Sequence, residues 1–139
     1  MTNQLLSNIL NDIRVELTDE FDKNFSRGGF FGKKWARKKN GEPSHLIKTG
    51  KLRRSIPMGA KIRGNAVYFT SSEPYANVHN EGGRIDVKRR TKKRGTVSYS
   101  FNMPQRQFIG DSPIVRATVK RIAQKHVHEF VQNAIKKRR

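Results

Sequence analysis

The sequence contains no cysteine among its 139 residues. A disulfide scaffold, a thiolate nucleophile and a zinc site built on cysteine are therefore excluded. The chain also has no run of eighteen apolar residues, so we expect no membrane-spanning helix and no membrane partner. Its first residues lack a basic segment followed by an apolar one, and we therefore expect the protein to stay in the cytoplasm of the cell that makes it.

Acidic residues are few and unevenly placed. Asp and Glu number 11 against 30 Lys and Arg, which gives a formal net charge of +19. Five of the acids lie in the first 22 residues, which carry a single base. This acidic segment can meet a basic surface of its own chain or of a neighbouring subunit. The basic remainder can meet nucleic acid or simply keep the protein soluble.

The sequence does not provide a recognisable catalytic centre. The four histidines are His45, His79, His126 and His128. Residues two apart project from different sides of a helix, so His126 and His128 do not indicate a metal site. His79-Asn80 resembles the middle of a nuclease motif, and a nuclease is the weakest of the three functions considered. Neither glycine pair has the context of a phosphate loop, so nucleotide binding is not supported. From the histidines and the glycines together, we predict no catalytic residue, no cofactor and no metal.

Two long segments carry apolar residues at three- and four-residue steps, which is typical of amphipathic helices. The first covers residues 3–26, with Thr2 as its cap and Gly28 and Gly29 as its stop. The second begins at 111–113 (Asp-Ser-Pro), a favourable helix start, and runs to about residue 135. The apolar positions are Leu6, Ile9, Leu10, Ile13, Leu17, Phe21 and Phe25 in the first helix, and Val115, Val119, Ile122, Ala123, Val127, Phe130, Val131 and Ala134 in the second.

The chain between the two helices predicts strands. Residues 59–71 predict a β-hairpin that turns at Gly64 and Asn65. A third strand is predicted over 85–87. A half-buried fourth strand is predicted over 97–101, where apolar residues alternate with serines.

These elements predict one α+β domain over residues 1–139. The expected fold is an antiparallel sheet of about four strands, packed by the long N-terminal and C-terminal helices. Short helices are expected over 49–56 and 74–80.

Two basic loops are predicted, at about residues 27–48 and 88–95. Phe30, Phe31 and Trp35 in the first loop can stack on single-stranded nucleic acid or anchor the loop to the core, and we favour the anchor. The second loop is a hairpin tip that can follow a phosphate backbone or stay solvated. Its candidate contacts for nucleic acid or a protein partner are Lys88, Arg89, Arg90, Lys92, Lys93 and Arg94.

Three short motifs occur in order along the chain. They are Thr49-Gly50-x-Leu52-x-x-Ser55-Ile56, then Tyr75-Ala76-x-x-His79-x-x-Gly82-Gly83, then Met103-Pro104-x-Arg106-x-Phe108-Ile109-Gly110, with Gly32-x-x-Trp35 ahead of the first. As an ordered set they resemble the phage virion morphogenesis, or tail completion, family of Mu-like and related contractile-tailed phages and prophages. The resemblance implies a small α+β fold, a sheet packed by helices, and oligomeric rings where the tail joins the head.

The matched residues are expected to be structural. They are Trp35, Thr49, Gly50, Leu52, Ser55, Ile56, Tyr75, Ala76, His79, Gly82, Gly83, Pro104, Arg106, Phe108 and Gly110. The first motif, with Thr49, Gly50 and Ser55, would cap and turn the segment ahead of the hairpin.

The second and third motifs have their own expected roles. Tyr75 and Phe108 would be packing anchors, while Pro104 and Gly110 would fix the return before the last helix. Arg106 would bind a carboxylate or backbone carbonyls.

Sequence and resemblance together predict a non-enzymatic phage or prophage protein that acts in tail completion or head–tail joining. We expect a homo-oligomeric ring in the neck or tail of the virion, assembled in the cytoplasm of the bacterial host. Other neck or tail proteins are its expected partners, with at most non-specific DNA contact. The alternative is a basic nucleic-acid-binding module that uses the tip at 88–94 and the loop around Trp35.

Overall fold

The computed structural model describes residues 3–42, 44, 46 and 50–138. The described residues form helices α1 (Asn3–Arg27), α2 (Lys51–Gly59), α3 (Ala76–Glu81) and α4 (Pro113–Lys137). Their strands are β1 (Gly29–Phe30), β2 (Lys33–Lys34), β3 (Ala60–Arg63), β4 (Ala66–Phe69), β5 (Gly83–Thr91) and β6 (Gly95–Met103). The mixed α+β character predicted from the sequence is confirmed.

Helix α1 supplies one side of the core. Its buried side chains recur at helical spacing: Leu5, Ile9, Leu10, Ile13, Leu17, Phe21, Asn24 and Phe25. The predicted stripe is confirmed from Ile9 to Phe25, but Leu5 is buried in place of the predicted Leu6, which is only partly buried. Gly28 follows the helix with a φ of 67°, the left-handed conformation expected of a helix stop. The predicted cap, Thr2, lies outside the described residues.

The predicted four-stranded sheet is wrong. The described strands form three separate antiparallel pairs, β1–β2, β3–β4 and β5–β6. The β3–β4 hairpin contacts α1, and Val67 and Phe69 pack against the core, so its apolar side is covered by a helix. Gly64 and Asn65 form its turn, as predicted, because Arg63 pairs with Ala66.

The β5–β6 hairpin, residues 83–103, is called the arm. Its two predicted strands do pair with each other, with Val87 opposite Tyr99. The arm is a sheet of its own and does not join β3–β4. Its aromatic side chains Tyr99 and Phe101 are 50% and 39% exposed. The prediction that β6 is half-buried within one sheet therefore fails at these aromatic residues.

The predicted basic tip also differs from the structure. The strands of the arm run on to Thr91 and resume at Gly95. The turn is therefore confined to residues 92–94. Lys88, Arg89 and Arg90 lie in β5 rather than in a loop.

The predicted loop at 27–48 begins with the β1–β2 hairpin instead of irregular chain. Trp35 and Phe30 are buried, and Phe31 packs against the same core. The anchoring interpretation is therefore confirmed for these aromatic residues. His45 lies outside the described residues.

Helix α4 lies antiparallel to α1. Glu16 forms an ion pair with Arg121, and Asp12 contacts His126 at 2.6 Å between Oδ2 and Nε2. The predicted helix start is confirmed, since the Ser112 Oγ accepts a hydrogen bond from the Val115 N–H at 3.1 Å. The predicted apolar face is only partly covered, because Ile122 alone among the α4 residues is fully buried.

Candidate assembly site

The second and third sequence motifs meet at one hydrogen-bonded contact, which we call the motif joint. It connects α3, the segment after β2, and the return segment at 104–110, which leads from the arm to α4. The backbone N–H of Arg106 donates to the His79 carbonyl at 2.8 Å. Its guanidinium donates to the carbonyls of Ala36 and Arg37 at 3.0 and 3.2 Å. Of the two roles expected for Arg106, the structure shows the binding of backbone carbonyls. These hydrogen bonds satisfy the guanidinium donors of a residue that is only 7% exposed.

Asn80 holds the same joint from the side of α3. Its side-chain oxygen accepts the backbone N–H groups of Phe108 at 2.9 Å and Ile109 at 3.2 Å. Its backbone carbonyl accepts a hydrogen bond from the Gln105 amide at 3.1 Å. This role of Asn80 does not stand out in the sequence. The available signal is an amide side chain just ahead of a glycine pair, where Asn often bonds to nearby backbone.

An aromatic cluster lies beneath the joint. The Trp35 Nε1–H donates to the Gln107 carbonyl at 2.7 Å. The Phe25 ring centroid is 5.8 Å from that of Trp35 and 5.4 Å from that of Phe108, which is fully buried. The fully buried amide of Asn24 donates to the Phe108 carbonyl at 3.5 Å. Asn24 does not stand out in the sequence either, and its only signal there is a polar residue beside the apolar stripe of α1.

The first motif fixes α2 against the core. Leu52 and Ile56 are 3% and 1% exposed. The buried Ser55 hydroxyl donates to the Leu52 carbonyl at 2.6 Å. Gly50 precedes α2 with a φ of 72°, which favours glycine. Thr49 lies outside the described residues.

An ion pair also connects α2 to α1. The Arg53 Nε and Nη2 donate to the two carboxylate oxygens of Asp22 at 2.6 and 2.8 Å. Hydrogen bonding from Arg53 lowers the pKa of Asp22 below its ordinary value. The bidentate geometry fixes how the two helices approach each other.

His79 lies at the motif joint. Burial, and secondarily the Arg106 guanidinium, lowers the pKa of His79 below its ordinary value of 6.5. The Tyr75 ring is edge-on to His79, with centroids 5.9 Å apart; Tyr75 is 39% exposed, whereas Ala76 next to it is buried.

Among the described residues, no three His, Asp or Glu side chains are grouped in a way that could hold a metal ion.

Glycines shape the two ends of the joint. Gly82 has a φ of 68°, and a Cβ there would lie 2.7 Å from the Gln105 backbone nitrogen. Gly83 has a φ of 109° and faces open space, while Gly110 has a φ of 140°. Pro104 is exposed at the start of the return segment. The requirement for glycine is therefore steric as well as conformational at Gly82.

The arm has two chemically different faces. In an antiparallel pair, directly opposed residues share a face. One face, called the apolar face, contains Ile85, Val87, Val97, Tyr99 and Phe101, and at its tip end the exposed Arg89, which lies opposite Val97. The opposite face contains Arg84, Asp86, Lys88, Arg90, Thr96, Ser98, Ser100 and Asn102. The rings of Tyr99 and Phe101 stack with centroids 6.4 Å apart. All six candidate contact residues of the tip are exposed.

The sequence model of the phage virion morphogenesis family matches residues 6–128. The chain belongs to the phage virion morphogenesis family. Searches of the curated proteins and of the solved structures found no match.

The phage virion morphogenesis family is a structural and assembly family, which indicates contact with other virion proteins and fits a location in the virion. The match contains every residue carried over from the three motifs. Three of these motif residues, Trp35, Arg106 and Phe108, are buried in this structure and contact other parts of the same chain. Within the described residues, no helix is both long and apolar enough to cross a membrane.

A second apolar surface lies on the last turns of α4. Val127, Phe130, Val131 and Ile135 are 40–47% exposed, and we call them the α4 stripe. Their spacing of three and four residues places them along one side of the helix. The predicted apolar face of α4 is thus wider than the surface that α1 covers.

An open apolar groove lies between α1 and the start of α4. Its volume is about 580 Å³. Leu10 and Leu17 line it from α1, Val67 and Phe69 from β4, and Val119 from α4.

Proposed function

We propose that this family member acts in tail completion or head–tail joining, as a non-enzymatic subunit of a homo-oligomeric ring. It would reside in the neck or tail of the virion and contact other neck or tail proteins. The observation that carries the proposal is the pair of uncovered apolar surfaces, the arm and the α4 stripe. Exposed apolar surfaces of this kind mark sites of protein association.

The charge distribution bears on how subunits would meet. Asp12, Glu16 and Asp22 of α1 contact basic residues of α4 and α2 in the same chain. The acidic first helix therefore meets basic side chains of its own subunit and has less charge to offer a neighbour. We infer that subunits associate through apolar surface, and that the remaining positive charge faces acidic surfaces of other virion proteins.

Light scattering of the purified protein tests the proposed oligomer. The expected result is a single defined mass of several subunits in the absence of DNA. Electron micrographs of the same fraction would show rings. A monomer at every protein and salt concentration would contradict the homo-oligomeric ring.

A nucleic-acid-binding module remains the second candidate, because the six cations of the tip are exposed on the protruding arm. The part of this hypothesis that uses Trp35 is not supported, since that side chain is only 8% exposed. Binding through the tip alone would depend on phosphate contacts and would weaken steeply with salt.

Charge reversal at the tip of the arm tests whether the tip is a specific nucleic-acid-binding site. Replacing Lys92, Lys93 and Arg94 with Glu should abolish salt-sensitive binding to a short duplex if the tip is a nucleic-acid site. The same change at Lys136 and Lys137, with Arg138, on the α4 tail is the matched control. Fluorescence anisotropy over a salt series measures both, and equal losses in the two variants would indicate only a general effect of charge.

A further inference from the structure

The arm and the α4 stripe are two unmatched apolar surfaces on different elements of one chain. In the described part of the chain, the strands of the arm make their extensive contacts only with each other. The α4 stripe lies beyond the part of the helix that contacts the core through Val115, Val119 and Ala123. Neither surface is therefore covered by its own subunit.

The two surfaces agree in length. The apolar face of β6 from Val97 to Phe101 spans about 14 Å at the rise of an extended strand. The α4 stripe from Val127 to Ile135 spans about 12 Å at the helical rise. Because these lengths are similar, the apolar face of the arm and the α4 stripe can pack side by side and bury each other.

Their areas also agree with the needs of a specific interface. An aromatic side chain buries roughly 150–250 Å² when fully covered and an aliphatic one less, so four or five partly exposed side chains offer roughly 300 Å² on each surface. Only a little more than half of a typical interface area is apolar, so we expect a polar rim of similar area around the apolar contact. The total approaches roughly 1,000 Å², the lower bound for a biological interface.

We propose that the apolar face of the arm packs on the α4 stripe of a second copy of this chain. This deepens the proposed function and rests on its homo-oligomer. The contact is head-to-tail, because two different surfaces meet, and repeated head-to-tail contacts close into a ring when the rotation permits. Lys92, Lys93 and Arg94, in the turn of the arm, then extend past the interface and stay available to an acidic partner.

Disulfide trapping tests which surfaces meet, and the absence of native cysteine makes the products unambiguous. A Tyr99→Cys copy and a size-tagged Val131→Cys copy are mixed, oxidised mildly and resolved on a non-reducing gel. The expected product joins one copy of each. Ile114→Cys is the matched control for Val131→Cys, since Ile114 is 48% exposed on the same helix but lies outside the stripe, and it should give no product.

Products joining two Tyr99→Cys copies, or two Val131→Cys copies, would overturn the head-to-tail contact in favour of a symmetric one. Equal trapping at Ile114 would overturn it as well. If the wild-type protein is an oligomer by light scattering, either result leaves the proposed ring standing and rejects only this interface. A wild-type monomer under all conditions would reject both.

A second variant tests the interface without cross-linking. Tyr99→Asp places a charge on the apolar face of the arm, and Ser100→Asp places the same charge on the opposite face. We expect Tyr99→Asp to shift the protein to monomer and Ser100→Asp to leave the oligomer intact, with unchanged circular dichroism for both. Loss of the oligomer in both variants, or in neither, would contradict the proposal.

Discussion

Asn80 ties α3 to the return segment through one side-chain oxygen that accepts two backbone N–H groups. Truncation of the side chain leaves both donors, at Phe108 and Ile109, without this partner. A partly buried donor left unsatisfied costs about 1–3 kcal/mol. The polar residues of the motif joint are therefore expected to contribute to stability as well as to geometry.

We predict that Asn80→Ala lowers the free energy of unfolding by about 1–3 kcal/mol, because two donors lose their acceptor. Urea denaturation followed by circular dichroism measures the change. Asn102→Ala is the matched control, since Asn102 is exposed on the arm and should change stability by less than about 0.5 kcal/mol. Equal stability of the two variants would show that the Asn80 contacts contribute nothing.

His79 gives the fold a pH dependence. Its pKa is lowered by burial and by Arg106, so the unfolded chain binds a proton at a higher pH than the native protein does. The stabilising contribution of neutral His79 is complete above about pH 6.5. It is lost as the pH falls from there toward the lowered native pKa.

We predict that the wild-type protein loses stability between pH 7 and pH 5 more steeply than His79→Gln does. Urea denaturation at several pH values gives the two slopes. His128→Gln is the control for a histidine outside the motif joint, since His128 is exposed on α4. Parallel pH profiles for the wild type and His79→Gln would contradict the assigned effect of His79.

Among the elements, α1 and α4 could be predicted because an apolar stripe at helical spacing over some 20 residues is typical of an amphipathic helix and of no strand. The β3–β4 turn could be predicted from Gly64-Asn65, since a tight hairpin turn also depends on local sequence. The association of strands could not be predicted. Alternation in β6 indicates one apolar face, but it does not indicate whether the chain's own body or another molecule covers that face.

The residues of the motif joint could also be predicted from the sequence only in part. Trp35, Arg106 and Phe108 stand out in the sequence because they belong to the motifs that resemble the phage virion morphogenesis family. Asn24 and Asn80 do not stand out, because an amide side chain is common in loops and at helix ends. Their roles depend on partners 84 and 28 residues away along the chain.

Gly64 and Gly82 connect neighbouring elements, and they allow the cost of a positive φ to be distinguished from the cost of a steric clash. Gly82, between α3 and the arm, has a φ of 68°, and Gly64, in the β3–β4 turn, has a φ of 60°. A Cβ at Gly64 meets open space, whereas at Gly82 it would meet the Gln105 backbone. Both positions carry the cost of a positive φ, and Gly82, with a ψ of −164°, also lies in a region that is nearly restricted to glycine. Of the two, only Gly82 adds a clash.

We predict that Gly64→Ala lowers the free energy of unfolding by about 1–2 kcal/mol, the cost of a left-handed residue with a Cβ. Gly82→Ala should cost about 1–3 kcal/mol more, because the backbone of the return segment must move. Thermal and urea denaturation of both variants measures the difference. If the two variants are equally stable, the close approach of Gly82 to the Gln105 backbone does not affect the free energy of unfolding.

At the scale of the whole molecule, a net charge of +19 opposes any association between copies. Apolar contact between the arm and the α4 stripe must overcome this repulsion, and salt screens it. Nucleic-acid binding has the opposite dependence, because salt competes with phosphate contacts. The direction of the salt effect therefore separates the two proposed functions.

The most direct test is the mass of the wild-type protein by light scattering at about 0.05, 0.15 and 0.5 M salt. Without DNA, the oligomeric fraction should increase with salt, and Val131→Asp should remain monomeric at each concentration. Ile114→Asp, on the same helix outside the stripe, should behave like the wild type. A protein that stays monomeric throughout and gains mass only with duplex DNA at low salt would contradict assembly through apolar surfaces and would favour the nucleic-acid-binding module.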